Sequence, residues 1–122
     1  MWQSSWNNET SIRDLMCKST GLHLNLYEID DILMDDYVFV CVNGKGGKIR
    51  RFETALDKLP LLFFEKMLIL IEFPEGQSPL FEELALISSR FNSDICSIGL
   101  YENPDLYKSR KEEIIIRVLY QL

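Results

Sequence analysis

The sequence has 122 residues, of which 47% are hydrophobic and 26% charged, and it carries a formal net charge of −6. This size and composition are typical of one globular domain that buries enough apolar surface to fold without a metal or a disulfide. The negative charge argues against a nucleic-acid partner, and the apolar runs are too short to cross a bilayer, so we expect neither nucleic acid nor membrane as a partner.

Residues 1–20 are predicted to form an N-terminal helical segment of this single domain, which comprises residues 1–122. Ile12, Leu15 and Met16 recur at helical spacing and predict a short amphipathic helix over residues 10–19. The segment has neither the basic start nor the apolar core of a secretion signal. We therefore expect a cytoplasmic protein.

The next elements alternate between short apolar patterns and turn signals. Residues 22–26 alternate apolar and polar side chains, which fits either a strand or a connecting loop. Residues 28–36 have the apolar spacing of a second short helix. Residues 37–42 are dense in β-branched and aromatic side chains and predict a strand, which ends in the glycine-rich turn 43–47.

The middle of the chain predicts a helix and a central strand. Apolar residues at steps of three and four predict a helix over residues 49–59, and Pro60 stops it. Residues 67–73 are continuously apolar, as expected of a strand that is covered on both faces.

The last third of the chain predicts one more helix and two strands. Ser78 and Pro79 have the residue types that begin a helix, a capping hydroxyl followed by a proline in the first turn. Residues 94–101 and 113–120 predict strands that could pair as a long hairpin. The economical arrangement is one four-stranded sheet, with the two inter-strand helices on one face if those strands are parallel.

The three cysteines are Cys17, Cys41 and Cys96, an odd number of widely separated residues. Two of them lie in apolar runs, which is typical of reduced, buried thiols and not of a disulfide framework or a zinc site. We therefore expect no bound metal and no cofactor.

Three short motifs occur in an order that points to a known family. Residues 21–31 read Gly-Leu-His-Leu-Asn-Leu-Tyr-Glu-Ile-Asp-Asp, residues 58–62 read Lys-Leu-Pro-Leu-Leu, and residues 81–84 read Phe-Glu-Glu-Leu. In order and spacing they resemble the C-terminal domain of the bacterial tubulin-like cell-division protein FtsZ, over nearly the whole chain. The resemblance implies an α+β fold with a single four-stranded mixed sheet, two helices packed on one face and N-terminal helices in addition, residues 21–122 forming an α/β sandwich.

The resemblance also implies a partner-binding loop. In the family, the loop after the central helix inserts into the nucleotide pocket of the next subunit, where two acidic residues orient the attacking water. Asn25 and Asp30 match that loop, Asp31 adjoins it, and Tyr27 replaces the first of the two carboxylates, which argues against GTPase activation in trans. A simpler interpretation of Asp30 and Asp31 is the solvated face of a short helix.

The sequence predicts that the chain is not an enzyme. The resemblance implies a phosphate-binding loop in a GTP-binding half, and we expect this domain to stand alone without it. The Gly44–Gly47 stretch lacks the Gly-Lys-Ser/Thr ending of a P-loop and predicts a plain turn. His23 is the only histidine, so neither a catalytic triad nor a metal site follows from it.

Three functional hypotheses remain open from the sequence. The first is a non-enzymatic interaction domain that binds or caps a tubulin-like filament subunit, or that self-associates. The alternative is an enzyme or small-molecule-binding protein that has reused the fold. The third is a piece of a larger assembly in which Trp2 and Trp6 pack on a partner.

Overall fold

The computed structural model describes residues 6–18, 22–109 and 113–122. All four predicted strands are present, and β2 lies where the continuous apolar run predicted a central strand. The elements in chain order are α1 (Trp6–Met16), α2 (Leu26–Leu33), β1 (Tyr37–Gly44), α3 (Arg50–Leu56), β2 (Lys66–Pro74), α4 (Phe81–Arg90), a 3-10 turn (Ser93–Ile95), β3 (Cys96–Asn103), α5 (Pro104–Ser109) and β4 (Ile114–Gln121).

The strands form one mixed sheet in the order β1-β4-β2-β3. Strand β4 is antiparallel to both β1 and β2, and β2 is parallel to β3. The predicted hairpin between β3 and β4 is therefore wrong, because β2 lies between them. The two most apolar strands take the two central positions, where both faces are covered, and β3, which contains Ser97, Gly99 and Glu102, takes an edge.

Helices cover both faces of the sheet. On one face, Phe52 and Leu56 of α3 and Ile87 of α4 pack in a cluster with Ile69 and Ile116 of the central strands. The cluster on the other face draws on α1, α2 and the alternate residues of the same strands. Its buried members are Ile12, Met16, Ile29, Ile32, Leu33, Leu68, Leu70 and Leu119. This confirms the α+β fold with two helices on one face of a four-stranded mixed sheet and the N-terminal helices in addition.

The start of α4 differs from the prediction. The helix begins at Phe81, three residues after Ser78, and the Glu83 carboxylate accepts a hydrogen bond from the Leu80 N–H at 2.9 Å. The same carboxylate forms a buried pair with Arg51 of α3, with N–O distances of 2.8 and 2.9 Å. A long-range ion pair therefore fixes the first turn, and local capping signals before Pro79 could not reveal it.

Of the two structures that residues 22–26 fit by their alternation, the loop is the one present: residues 22–25 form a loop, and Leu26 begins α2. The loop nevertheless lies along the outer edge of β3, because the Leu22 carbonyl accepts a hydrogen bond from the Leu100 N–H at 2.8 Å. Leu24 covers Gly99 of β3, where an added Cβ would lie 2.8 Å from the Leu24 Cγ. This edge of the sheet is thus partly closed by the chain itself.

The prediction of buried thiols is wrong for two of the three cysteines. Cys17, just beyond α1, and Cys41, on the edge strand β1, are exposed, and Cys96 is half-buried. Burial raises the pKa of Cys96 to about 11. Apolar neighbours in sequence mislead at Cys41 because β1 lies at the edge of the sheet, where the elements packed on its faces leave Tyr37 to Asn43 at best half-buried.

Two remaining points concern the length of the helices and the N-terminal tryptophans. None of the helices in the described residues is both long and apolar enough to span a bilayer. Trp2 and the side chain of Trp6 lie outside the described part of the chain, so their packing on a partner stays a prediction.

Candidate functional site

The predicted partner-binding residues lie together, in one run that ends within α2. Asn25 is the N-cap of this helix, with an extended backbone (φ −77°, ψ 121°), and its side-chain oxygen accepts a hydrogen bond from the Tyr27 N–H at 2.8 Å. An asparagine suits this position because its short side chain satisfies an amide that the first helical turn leaves without a partner. Asn25 therefore has a structural role whether or not a partner binds.

Helix α2 presents two different faces. Ile29, Ile32 and Leu33 are buried against the sheet. On the opposite side, Tyr27 is 80% exposed and Met34 is 87% exposed. Asp31 is also exposed, four positions after Tyr27 and three before Met34. Met34 directly follows the last helical residue and keeps a helical backbone (φ −87°, ψ −4°), so the three side chains lie on one side of the helix and its end. We call Tyr27, Asp31 and Met34 the α2 outer face.

Asp30 points away from that face, toward α1. The Arg13 Nε lies 2.8 Å from the Asp30 Oδ1. The hydrogen bond and the charge of Asp30 raise the pKa of the Arg13 guanidinium. Asp30 thus joins α2 to α1 and is half-buried, whereas Asp31, the other acidic residue predicted for the site, is exposed.

A cavity of about 350 Å³ opens between α1 and α2. Its lining consists of Thr10, Arg13, Asp30, Leu33 and Met34. The two charged groups in this lining are paired with each other, so the cavity presents an ion pair and the side of Met34 to a ligand. Sequence reasoning missed Arg13, because no local pattern pairs residues 17 positions apart.

The start of α2 is tied to the sheet as well. Glu28 forms an ion pair with Lys66, the first residue of β2. Just before Lys66, Leu61 and Phe63 project fully into solvent, while Leu62 and Phe64 turn inward against the core. The segment that leads into β2 therefore exposes two large apolar side chains, and the sequence motifs included Leu61 but neither Phe63 nor Lys66.

Comparison with known proteins supports the fold and leaves the family open. No protein-family model matches the sequence, and no curated protein matches it. Among solved structures, a mutant of FtsZ from M. jannaschii is similar, with a TM-score of 0.56 and 12% sequence identity over 86% of this chain. This chain spans 33% of that FtsZ chain. At such low identity the likeness shows the fold, which is that of the FtsZ C-terminal domain.

Proposed function

We propose that this chain is a non-enzymatic interaction domain that binds a tubulin-like filament subunit through the α2 outer face. The observation that carries the proposal is the position of three outward side chains, Tyr27, Asp31 and Met34, on an FtsZ-like fold. By the resemblance, this is the place where the family presents its inter-subunit loop. The proposal thus assigns a function to surface that the fold does not need for its own core.

The residue types of the α2 outer face suit protein recognition. A tyrosine buries a large ring on binding at a low cost in side-chain entropy, and tyrosines are enriched among the residues that dominate binding energy. Methionine is flexible and polarisable and adapts to the shape of a partner. Asp31 adds an acceptor that can select a cationic group or an N–H donor on the partner.

Internal contacts hold this face in place before any partner arrives. Asn25 caps the helix, Asp30 pairs with Arg13, and Glu28 pairs with Lys66. A preorganised surface loses less conformational entropy on binding, so more of the contact energy appears as affinity. In this proposal Asn25 and Asp30 position the face, and Tyr27 and Asp31 contact the partner.

Binding without hydrolysis follows from two features of the same segment. To activate a water molecule, a carboxylate must accept a hydrogen bond from that water. Tyr27 stands where the family has the first such carboxylate, and the Oδ1 of Asp30 accepts a hydrogen bond from Arg13. The proposed role is therefore to cap one end of a filament, leaving the partner's own GTPase chemistry unassisted.

The test is affinity capture from a native lysate of the source organism with three baits, read by mass spectrometry. The baits are the natural chain, a Tyr27→Ala/Asp31→Ala variant, and a control Glu82→Ala/Ser88→Ala variant changed at exposed positions of α4. We expect the natural chain and the control to recover a tubulin-like GTPase, and the α2 variant to lose it. Recovery of no such GTPase, or equal recovery by all three baits, would overturn the proposal.

A further inference from the structure

Strand β1 is an edge strand whose residues Tyr37 to Val42 lack the usual protection against pairing, which begins only at Asn43, where Lys58 covers the carbonyl. Its register with β4 is continuous from Tyr37 opposite Gln121 to Gly44 opposite Ile114, so no bulge bends it away. From Tyr37 to Val42 it contains no charge and no proline, the residues that natural proteins place on edges to prevent association. Among the described residues no strand pairs with its outer side, whereas the other edge, β3, is bonded by Leu22.

The backbone groups that face outward can be identified from two hydrogen bonds. The Leu122 N–H donates to the Asp36 carbonyl at 3.0 Å, which makes this opposed couple a hydrogen-bonded pair of the β1–β4 ladder. Since such pairs alternate along an antiparallel ladder, Phe39 and Cys41 direct their N–H and C=O groups to the outer side. The Asn43 carbonyl fits the same alternation, because it points outward and accepts a hydrogen bond from Lys58 Nζ at 2.7 Å.

We propose that a second copy of this chain pairs with β1 in antiparallel orientation, about a two-fold axis at Val40. A two-fold axis places each residue opposite the residue equally far from Val40 on the other side, so Phe39 meets Cys41 of the second copy. The outward groups of these residues then bond one another, and the two sheets join into one. An uncharged strand can pair with itself without placing like charges opposite each other.

Charges at the two ends of β1 favour this occupant and this register. Asp35 and Lys45 each lie five residues from Val40, on opposite sides, so Asp35 of one copy faces Lys45 of the other at both ends of the joint. Both side chains are exposed, Lys45 to 74%, with its Nζ 4.0 Å from the nearest Glu113 oxygen. An antiparallel partner brings opposite charges together, and a parallel one brings like charges together. This edge of β1 shares no residue with the α2 outer face.

The first test is the mass of the chain in solution, measured by light scattering and sedimentation at up to about 100 µM, where contacts of micromolar affinity are populated. We expect twice the monomer mass of 14.3 kDa. Cys41→Pro should give a monomer, because it removes an outward N–H and leaves the β1–β4 ladder intact, and Cys41→Ser should remain a dimer. A monomeric natural chain, or a folded Cys41→Pro variant that dimerises equally well, would overturn the proposal.

An exchange of charges between residues 35 and 45 tests the dimer register even if the proline variant fails to fold. Asp35→Lys alone places like charges opposite each other at both ends of the joint, and we expect the dimer dissociation constant to rise by about tenfold. Asp35→Lys combined with Lys45→Asp restores opposite charges and should restore the dimer. If the double variant weakened the dimer by as much as the sum of the two single changes, the proposed register would be overturned.

Oxidative crosslinking checks the axis itself. In a Cys41→Ser background, Val40→Cys places two thiols in a directly opposed, non-hydrogen-bonded pair, with Cα atoms about 4.5 Å apart, which a disulfide can bridge. The natural Cys41 residues lie on a diagonal, about 7–8 Å apart, which is too far. With the exposed Cys17 changed to serine in both chains, we expect rapid crosslinking of the Val40→Cys/Cys41→Ser variant and none of the chain that keeps Val40 and Cys41; the reverse result would overturn the axis at Val40.

Discussion

The Glu83 carboxylate serves three partners at once. It pairs with Arg51, and it accepts hydrogen bonds from the backbone N–H groups of Ile49 and Leu80 at 3.0 and 2.9 Å. Both members of the ion pair are fully buried, with side chains 1% and 0% exposed. Removing one member of such a pair leaves the other charge buried without compensation, so the pair is a specific weak point of the fold.

Glu83→Gln keeps the shape of the side chain and removes its charge. We expect the free energy of unfolding to fall by about 3–5 kcal/mol, because Arg51 is then buried without a counter-charge. Glu82→Gln, one residue earlier on the exposed side of α4, should change it by no more than about 0.5 kcal/mol. Denaturant unfolding of the two variants measures the difference, and equal effects would show that the buried pair does not stabilise the fold.

The same carboxylate predicts an acid-sensitive contribution to stability. Burial by itself raises the pKa of Glu83, but the hydrogen bonds from Arg51, Leu80 and Ile49 outweigh it and hold the pKa below its ordinary value. A group with a lower pKa in the folded state stabilises the fold above its unfolded pKa, about 4.3, and loses that contribution as the pH falls through the folded value. Unfolding curves of the natural chain should therefore show a loss of stability below about pH 4.3. A Glu83→Gln variant that loses as much stability over this range would contradict the assignment.

The cysteines should differ in reactivity. The pKa of Cys96 is raised from 9.0 to about 11, and burial is the cause. Since the thiolate is the reactive form, the thiolate fraction at pH 8 is about a hundredfold below that of an ordinary thiol. Alkylation at pH 8, followed by mass spectrometry, should label exposed Cys17 first and Cys96 last. In denaturant the three rates should converge; early labelling of Cys96 in the folded chain would show that the thiol is not protected.

At the scale of elements, the backbones of β1 and α3 approach each other closely at Gly44. A Cβ added at Gly44 would lie 1.8 Å from the Arg51 carbonyl oxygen, whereas at Gly47 it would meet nothing within 4 Å. Gly44→Ala must therefore displace α3, and we expect a loss of about 1–3 kcal/mol or more in the free energy of unfolding. Gly47→Ala should be neutral within about 0.5 kcal/mol. Thermal unfolding compares the two, and similar melting temperatures would contradict the close packing of this turn.

The elements that sequence predicted well are those with a local cause. The continuous apolar run of β2 must be covered on both faces, which only a central strand allows. The apolar spacing of α2 matches its buried face. What could not be predicted depends on distant residues. The order of strands follows from how β2 and β4 share the core, and the true start of α4 follows from Arg51, 32 positions away from Glu83.

The candidate site divides in the same way. Its position in the chain followed from the motif over residues 21–31, and Asn25 at a helix start is a local signal. Which side chains face outward could not be predicted from the sequence, because Asp30 and Asp31 are adjacent and equally acidic. Only the contact of Asp30 with Arg13 on α1 distinguishes them. Met34 entered the site through helical geometry and not through a motif.

At the scale of the whole molecule, two surfaces have separate proposed uses. The α2 outer face would bind a tubulin-like subunit, and the outer edge of β1 would bind a second copy of this chain. Because these surfaces use different residues, a dimer could present two capping faces and hold two filament ends. Variants of one surface should leave the other intact, so the effects of Tyr27→Ala/Asp31→Ala and Cys41→Pro should be independent.

The most direct test of the capping proposal is the length distribution of filaments, measured by electron microscopy, together with their GTP turnover. A purified tubulin-like GTPase from the same organism would be polymerised with a substoichiometric amount of the natural chain or of Tyr27→Ala/Asp31→Ala. We predict shorter filaments with the natural chain, no increase in GTP turnover per assembled subunit, and unchanged filaments with the variant. Filaments of equal length in both samples, or faster GTP turnover with the natural chain, would contradict the account.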